Sequence, residues 1–382
     1  MSDRRIAIIG AGPGGLTLAR ILYRNDIVAR IFEREKSADS RTQGGSLDIH
    51  ADTGQYALHA AGLTENFQLI ARYEDQETRI YDKHACLVHV DTDTSSGDRP
   101  EVDRGQLRQM LLDSLPDEMI RWDHDLATIQ QRDSGAFELV FKNGTTEQST
   151  GQFDLVIGAD GAWSRTRPLV SDVQPIYSGI VFVELGIGNI DNRFPGLAEL
   201  AGHGLTFALG DSKAIIMHRD ANAHLGIYAA LRGPEDWASC GALDLTSSAA
   251  TRASLATHFS DWSPAFLALI ENAGDKITPR AIHTLSAGHR WPHRPGITLL
   301  GDAAHLMSPF TGEGANLAMR DAADLADALI ATSDCNAAIA NYEAVMLPRA
   351  AESAADAEDS MQKTFAPNGL NYLLQVMQSH RP

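Results

Sequence analysis

The sequence predicts an α/β protein. A Rossmann-like dinucleotide-binding domain is interrupted by an inserted, mostly antiparallel β-sheet domain and followed by a long C-terminal helix. Three observations predict this. The apolar run 6–9 ends in Gly10-Ala11-Gly12-Pro13-Gly14-Gly15 and opens a helical pattern. Two later apolar runs, 155–157 and 297–300, also end in glycine turns. Between them, residues 173–280 change into strand-like stretches separated by turns.

Each element follows from its side-chain pattern. Residues 5–9 read as a short buried strand, 16–23 have helical spacing, and 28–32 read as a second apolar strand, which gives a βαβ opening. A polar loop occupies 37–45. Residues 103–115, DRGQLRQMLLDSL, read as an amphipathic helix with Leu107, Leu111, Leu112 and Leu115 on one side. LATIQQ and AFELVFKNGTT read as strands, the second closing at Asn143-Gly144, and FDLVIGADG is another apolar strand running into a turn. GIVFVELGI, LTFALG, AIIMHRD and HLGIYAALRG supply the inserted sheet, and TRASLATHFSDWSPAFLALIENA is helical. Residues 313–331 and 336–361 are Ala-rich and helical. The interrupted domain therefore takes 1–72, 92–172 and 281–330. The inserted domain takes 73–91 and 173–280, and 331–382 forms a bracing helix and tail.

Composition narrows the partners. A chain of 382 residues, 43% of them apolar, suits two domains sharing a large core. A formal net charge of −18 repels nucleic acid and anionic membranes, so neither is an expected partner. Cys86, Cys240 and Cys335 are too few and too scattered for a disulfide framework or a zinc cluster, and no metal is expected. No run approaches the roughly 18 apolar residues that span a bilayer. The run 6–9 is too short for the apolar core of a secretion signal. These features lead to the expectation of a cytoplasmic monomer.

The chemistry lies in the three turns. In the first, Gly10 permits the tight strand-to-helix turn, Gly12 lets backbone approach a pyrophosphate, and Gly15 lets the helix pack close to the strand, with Gly14 in the same turn. The helix that follows offers free N–H groups and partial positive charge to phosphates. Glu33 ends the next strand, where its carboxylate can accept hydrogen bonds from ribose. The second turn is Asp160-Gly161. In the third, Asp302 follows Gly301 at a strand end, and Gly312 and Gly314 precede an apolar helix that begins near Asn316. One dinucleotide has a single pyrophosphate, so the third turn serves the other end of the ligand. Reduced flavin has an anionic edge that a helix N-terminus stabilises, and nicotinamide has none, which favours FAD as the resident cofactor.

Together these motifs resemble the FAD-dependent aromatic-hydroxylase (class A) monooxygenases: GxGxxG first, Asp-Gly in the middle, and Gly-Asp late with Pro309, Gly312 and Gly314 downstream. Within that group the chain looks like the tetracycline-inactivating TetX type, through IFERE (31–35), RTQGGSLDIH (41–50), VDRGQLRQMLLDSL (102–115), RGPEDW (232–237) and GDAAHLMSPFTGEGAN. The resemblance implies a Rossmann-like FAD-binding domain and an inserted substrate domain. It implies that Glu33 and Arg34 contact the adenosine half of FAD and that Asp48, after Gly45, sits near the flavin. Arg104 would reach its ribityl or phosphate region, Asp302 would bind ribityl hydroxyls, and Arg41 would touch FAD or transient NADPH.

The implied reaction is NAD(P)H- and O2-dependent hydroxylation of a polycyclic phenolic or enolic compound, aromatic or polyketide in origin. Phe182, Glu184, Met217 and Phe310 are candidates to line its pocket, with Met307 beside them. The inserted sheet departs from the TetX pattern. Glu184 stands near the position of the drug-binding glutamine, Thr206 and Gly226 near those of the arginine and histidine, and His218, Arg219 and His224 lie close by. No catalytic acid or base stands out. His305 reads as a positioning histidine, and His50 faces either the flavin or the strand end. Three alternatives stay open: an isoprenoid reductase or epoxidase with the same FAD fold, a drug-sequestering binding protein, and an NAD(P)-dependent dehydrogenase.

Overall fold

The computed structural model describes residues 4–40, 45–73, 76–92, 99–143 and 146–379. The chain divides into two compact units: Met1–Ala71, Arg104–Ile176 and Thr284–Glu358 form one, and Arg72–Asp103, Tyr177–His283 and Asp359–Pro382 the other.

The first unit is built on a five-stranded parallel sheet. Its order is Ile297–Leu299, Leu155–Gly158, Ile6–Ile9, Ala29–Phe32 and Ile120–Arg121. Ile8 stands opposite Ile157 on one side and Ile31 on the other. The three strands at 6–9, 155–158 and 297–299 are buried along their whole length, which is why they read as unbroken apolar runs rather than alternating ones. An antiparallel three-stranded sheet, Asp125–Gln131, Phe137–Asn143 and Thr146–Phe153, adds an aromatic cluster in which Phe32 stacks on Phe141 at 4.7 Å.

Two helices pin this sheet. Pro13–Arg24 and Glu313–Ala331 pack on each other so closely that a Cβ on Gly14 would fall 2.8 Å from Ala318 O. The long helix Cys335–Thr364 enters through Tyr342, whose hydroxyl donates to Leu299 O at 2.9 Å. Beside it the buried Glu343 carboxylate accepts from Trp291 Nε1 (2.9 Å) and Thr298 Oγ1 (2.8 Å), so this buried acid is well satisfied.

The second unit holds a seven-stranded sheet ordered Thr278–Thr284, Ile176–Ile187, His224–Arg232, Lys213–Asp220, Leu205–Gly210, Thr78–Asp82 and Leu87–Asp91. Only the pairing of Leu205–Gly210 with Thr78–Asp82 is parallel among those described. One face packs on the helices Ser248–Thr257 and Pro264–Glu271 through Val183, Leu185, Ile215, Ile227, Leu255 and Phe266. The predicted single helix is thus two, divided where Pro264 takes the first helical position behind the Ser263 cap.

The alternation of strand faces corrects one expectation. Glu184 is paired with Tyr228, and Tyr228 with Ile216, so these three share a face with Phe182. Met217, the next residue, points the other way. It is fully buried in the core against the helices and cannot line a pocket with Phe182 and Glu184.

At one end of the same sheet, His218 lies 3.4 Å from Glu101 and 3.8 Å from Asp220. Burial alone lowers its pKa, but the two carboxylates outweigh that and push it up to about 9. The folded value lies above the unfolded one. His218 therefore contributes stability that is complete below about pH 6.5 and is lost as pH rises through about 9. Urea unfolding at pH 6 and pH 9.5 should show this loss, and His218→Gln should flatten it. An unchanged pH slope in the variant would show that other groups carry the dependence.

Candidate active site

The three strands that end in glycine turns are consecutive in the parallel sheet, so all three turns lie side by side at its carboxyl edge. A Cβ on Gly10 would strike Ala159 O at 2.3 Å, and one on Gly15 would strike Gly10 O at 2.2 Å. These two glycines are set by backbone approach, and Gly10 also has φ +109°. A Cβ on Gly12, Gly161 or Gly314 would meet nothing within 4 Å, so each turn borders open space.

That space has the chemistry of an anion and sugar site. Helix Pro13–Arg24 starts at Gly12 with no side-chain cap and no acid in its first turn, and the Gly14 and Gly15 amides are first-turn donors. Glu33 accepts from the Ala11 amide (2.7 Å) and the Glu35 amide (3.0 Å). A carboxylate has about four lone-pair sites, so it retains capacity for a ribose hydroxyl. Asp160 uses Oδ2 to hold the amides of Arg165 (2.8 Å) and Thr166 (3.1 Å), while its buried Oδ1 makes no hydrogen bond to protein. Buried Thr311 Oγ1 at the third turn is orphaned in the same way. These two atoms sit at the second and third turns with hydrogen-bonding capacity that no protein group takes up.

The remaining predicted residues are spread over the first unit. Asp48 lies against the third turn: a Cβ on Gly312 would come 2.9 Å from Asp48 Oδ1. Asn316, fully buried, ties this region together by donating to Asp48 O (2.8 Å) and accepting from the His50 amide (2.9 Å). Gly301 (φ +58°) donates its amide to Asp321 Oδ2 at 3.0 Å, and half-buried Asp302 begins the short helix Asp302–His305. Pro309 starts the turn Pro309–Thr311, with Phe310 half-buried within it. Gly45 has φ +86° and accepts from the Arg104 amide. The Arg104 and Arg34 side chains are exposed. Arg41 lies outside the described residues.

Sequence reasoning missed two arginines. Arg167, 1% exposed, donates to Ala303 O (2.8 Å), Ala162 O (2.8 Å) and Asp302 O (3.1 Å), which staples the second turn to the third. Burial lowers its pKa, partly offset by Asp160 and Asp302. Arg108, also buried, donates to Ala11 O (3.2 Å), Ala38 O (3.0 Å) and Glu35 Oε2 (2.9 Å), bracing the first turn from the helix Arg104–Asp113. Their only sequence signal was an arginine inside an otherwise legible motif.

His305 sits behind the third turn. Its Nε2 is 2.6 Å from Asp321 Oδ2, and Arg349 donates to Asp321 Oδ1 at 2.8 Å. Burial alone raises the Asp321 pKa, but His305 and Arg349 outweigh it and hold the carboxyl below its ordinary value. His305 thus braces the turn through a buried ion pair with Asp321, and its Nδ1 is a further buried atom without a hydrogen bond.

Comparison with known proteins identifies the family. The FAD binding domain family matches residues 3–208 and 283–356. This chain belongs to that family. It is 30% identical to the monooxygenase penA of Penicillium thymicola, over 99% of each chain. Klebsiella pneumoniae HpxO, solved with FAD and uric acid, shares its fold at a TM-score of 0.80 and 22% identity, covering 99% of this chain and 92% of HpxO. The tetracycline destructase Tet(51) aligns at a TM-score of 0.71 and 22% identity, covering 98% and 96%. The chain is therefore an FAD-dependent monooxygenase of the aromatic-hydroxylase type, with its turns in the order that the sequence suggested.

Proposed function

We propose that this monooxygenase hydroxylates a planar phenolic or enolic ring compound at the expense of NAD(P)H and O2. The observation that carries the cofactor half is the adjacency of the three glycine turns at one sheet edge, with orphaned Asp160 Oδ1 beside them. The substrate half is supported by the face of the second unit's sheet opposite its helices. There Phe182 and Tyr228 set their rings 5.6 Å apart, and Arg280 pairs with Glu184 at 2.9 Å. An aromatic pair beside a half-exposed ion pair suits a flat ring that carries an acidic hydroxyl. This face differs from the TetX pattern in its polar groups, so a tetracycline is one member of the proposed class rather than the chosen substrate.

FAD, when bound, would supply the redox chemistry that couples NAD(P)H oxidation to the use of O2, with one oxygen atom entering the substrate and the other leaving as water. The chain supplies binding and orientation. The first-turn amides at Gly14 and Gly15 would hold the pyrophosphate, and Glu33 the ribose. Asp160 and Asp302 would take sugar-like hydroxyls of the ligand. The N-terminus of Glu313–Ala331 would favour the negative charge of the reduced ring. Arg34 would contact the adenosine half of FAD, Arg104 the ribityl or phosphate region, and Arg41 FAD or the transient NADPH.

An absorption spectrum followed by NADPH consumption tests this. The purified protein should be yellow. One of a panel of polycyclic phenols should accelerate NADPH oxidation and gain one oxygen by mass spectrometry. A colourless protein that cannot be reconstituted with FAD would sink the cofactor assignment. FAD-bound protein whose NADPH oxidation no ligand stimulates would sink the hydroxylation.

A further inference from the structure

In the second unit, the sheet face opposite the helices continues past Phe182, Glu184 and Tyr228. Its next row holds Gly186 and Gly226, paired with each other, and Gly226 is paired in turn with His218. Side chains two residues apart on a strand share a face, so Asp220 and its partner His224 belong to the same surface. The two glycines leave the room that this pair occupies. A Cβ on Gly226 would lie 3.3 Å from Asp220 Oδ2, and one on Gly186 only 2.6 Å from His224 Nε2.

His224 Nδ1 is 2.8 Å from Asp220 Oδ2. A carboxylate only accepts, so Nδ1 carries the hydrogen. That bond fixes the tautomer and leaves Nε2 as the bare nitrogen of the neutral ring. Among the described residues Nε2 has no hydrogen-bond partner. The Asp220 side chain is 10% exposed and that of His224 45%, so the orienting group is buried and the ring it orients is open. Two further charged pairs flank the dyad. His218 lies 3.8 Å behind Asp220, with Glu101 3.4 Å beyond it, and Glu184, two residues from Gly186 on the same face, is tied to Arg280.

We propose that His224, oriented by Asp220, is the base that takes the proton of the substrate's acidic hydroxyl. The assignment rests on the reading of this face as the substrate surface. Oxygen goes to an electron-rich carbon, and a ring bearing C–O− is richer than one bearing C–OH. The O–H bond breaks, its electron pair stays on oxygen, and the proton goes to Nε2. The ring is then an imidazolium whose Nδ1 still donates to Asp220. When an oxygen atom joins a carbon ortho or para to the C–O−, that group becomes C=O. Loss of the carbon's hydrogen as a proton restores the aromatic ring and the C–O−, which takes its own proton back from Nε2. The released proton joins the hydroxide formed from the other oxygen atom, giving water. NAD(P)H supplies the two electrons and solvent one proton, and His224 ends each turnover as it began.

The test uses FAD-reconstituted protein, NADPH and the phenol that wild type hydroxylates in the panel above, beside a halogenated analogue already ionised at neutral pH. His224→Gln should lower kcat for the neutral phenol by about a hundredfold or more, as for a lost general base. It should turn over the ionised analogue as wild type does, because that ring has no proton to give up. Gly186→Ala checks the placement and leaves the dyad's own residues in place. Its methyl takes the space under Nε2 and pushes the ring end aside. Its kcat for the neutral phenol should fall while its urea midpoint and flavin content stay at wild-type values. The assignment is overturned if His224→Gln keeps wild-type kcat on the neutral phenol, if it loses as much on the ionised analogue, or if Gly186→Ala matches wild type in turnover. Wild-type protein that hydroxylates no phenol would instead overturn the functional reading itself, and the assignment with it.

Discussion

Gly15→Ala is expected to purify without flavin. A Cβ at this position would lie 2.2 Å from Gly10 O and 3.3 Å from Ala159 Cβ. The first of these atoms is backbone in the turn itself, so nothing flexible can yield. The helix Pro13–Arg24 must lift off the strand, and the first-turn amides then no longer converge on a pyrophosphate. Overpacking of this kind costs roughly 1–3 kcal/mol of stability. A similar loss of about 3 kcal/mol in binding is about a hundredfold in affinity. Gly12→Ala separates the two effects, because its Cβ meets no protein atom within 4 Å. It should unfold like wild type and still bind FAD weakly. Flavin content after purification and urea midpoints check both variants. A Gly15→Ala protein with a full complement of FAD would show that the turn does not hold the pyrophosphate.

Asp321→Leu should bring the largest loss of stability. Asp321 is 1% exposed and serves three partners: His305, Arg349 and the Gly301 amide. Removing the carboxylate leaves the guanidinium short of a counter-ion and an amide short of an acceptor. Breaking a buried pair by deleting one partner costs about 3–5 kcal/mol. The loss also reaches the ligand, because the Gly301 amide anchors the third turn. FAD affinity should fall along with the urea midpoint. Asp321→Asn keeps the shape and an acceptor for Gly301, so it should bind flavin better than the leucine variant at comparably reduced stability. Equal stability of wild type and Asp321→Leu would show that the pair is dispensable.

Much of this site is legible in the sequence, because its logic is local. A glycine turn after an apolar run carries its meaning within about six residues. Three such turns in order suffice for the Rossmann-like domain and for Glu33, Asp160 and Asp302. The rest depends on distance in space. Arg167 matters because it reaches carbonyls of Asp302 and Ala303, and Asp321 because Arg349 arrives from another helix. No spacing announces either. Met217 was misplaced for a different reason. It ends the run Ala214-Ile215-Ile216-Met217, which is buried throughout, so no alternation marks which residues face the helices. Only the pairing of Tyr228 with Ile216 fixes the phase.

The strand order of the first unit also constrains how the chain is made. Ile6 pairs with Leu155, and Val156 with Ile297, so the central strand and its neighbour wait for partners made much later. The second unit's strands at 176–232 are mostly neighbours in sequence and can zip together as they leave the ribosome. The first glycine turn is therefore made well before the strands that enclose it. During that interval Ala29–Phe32, which follows within about 20 residues of the end of Ile6–Ile9, is the partner available to cover one edge of that strand.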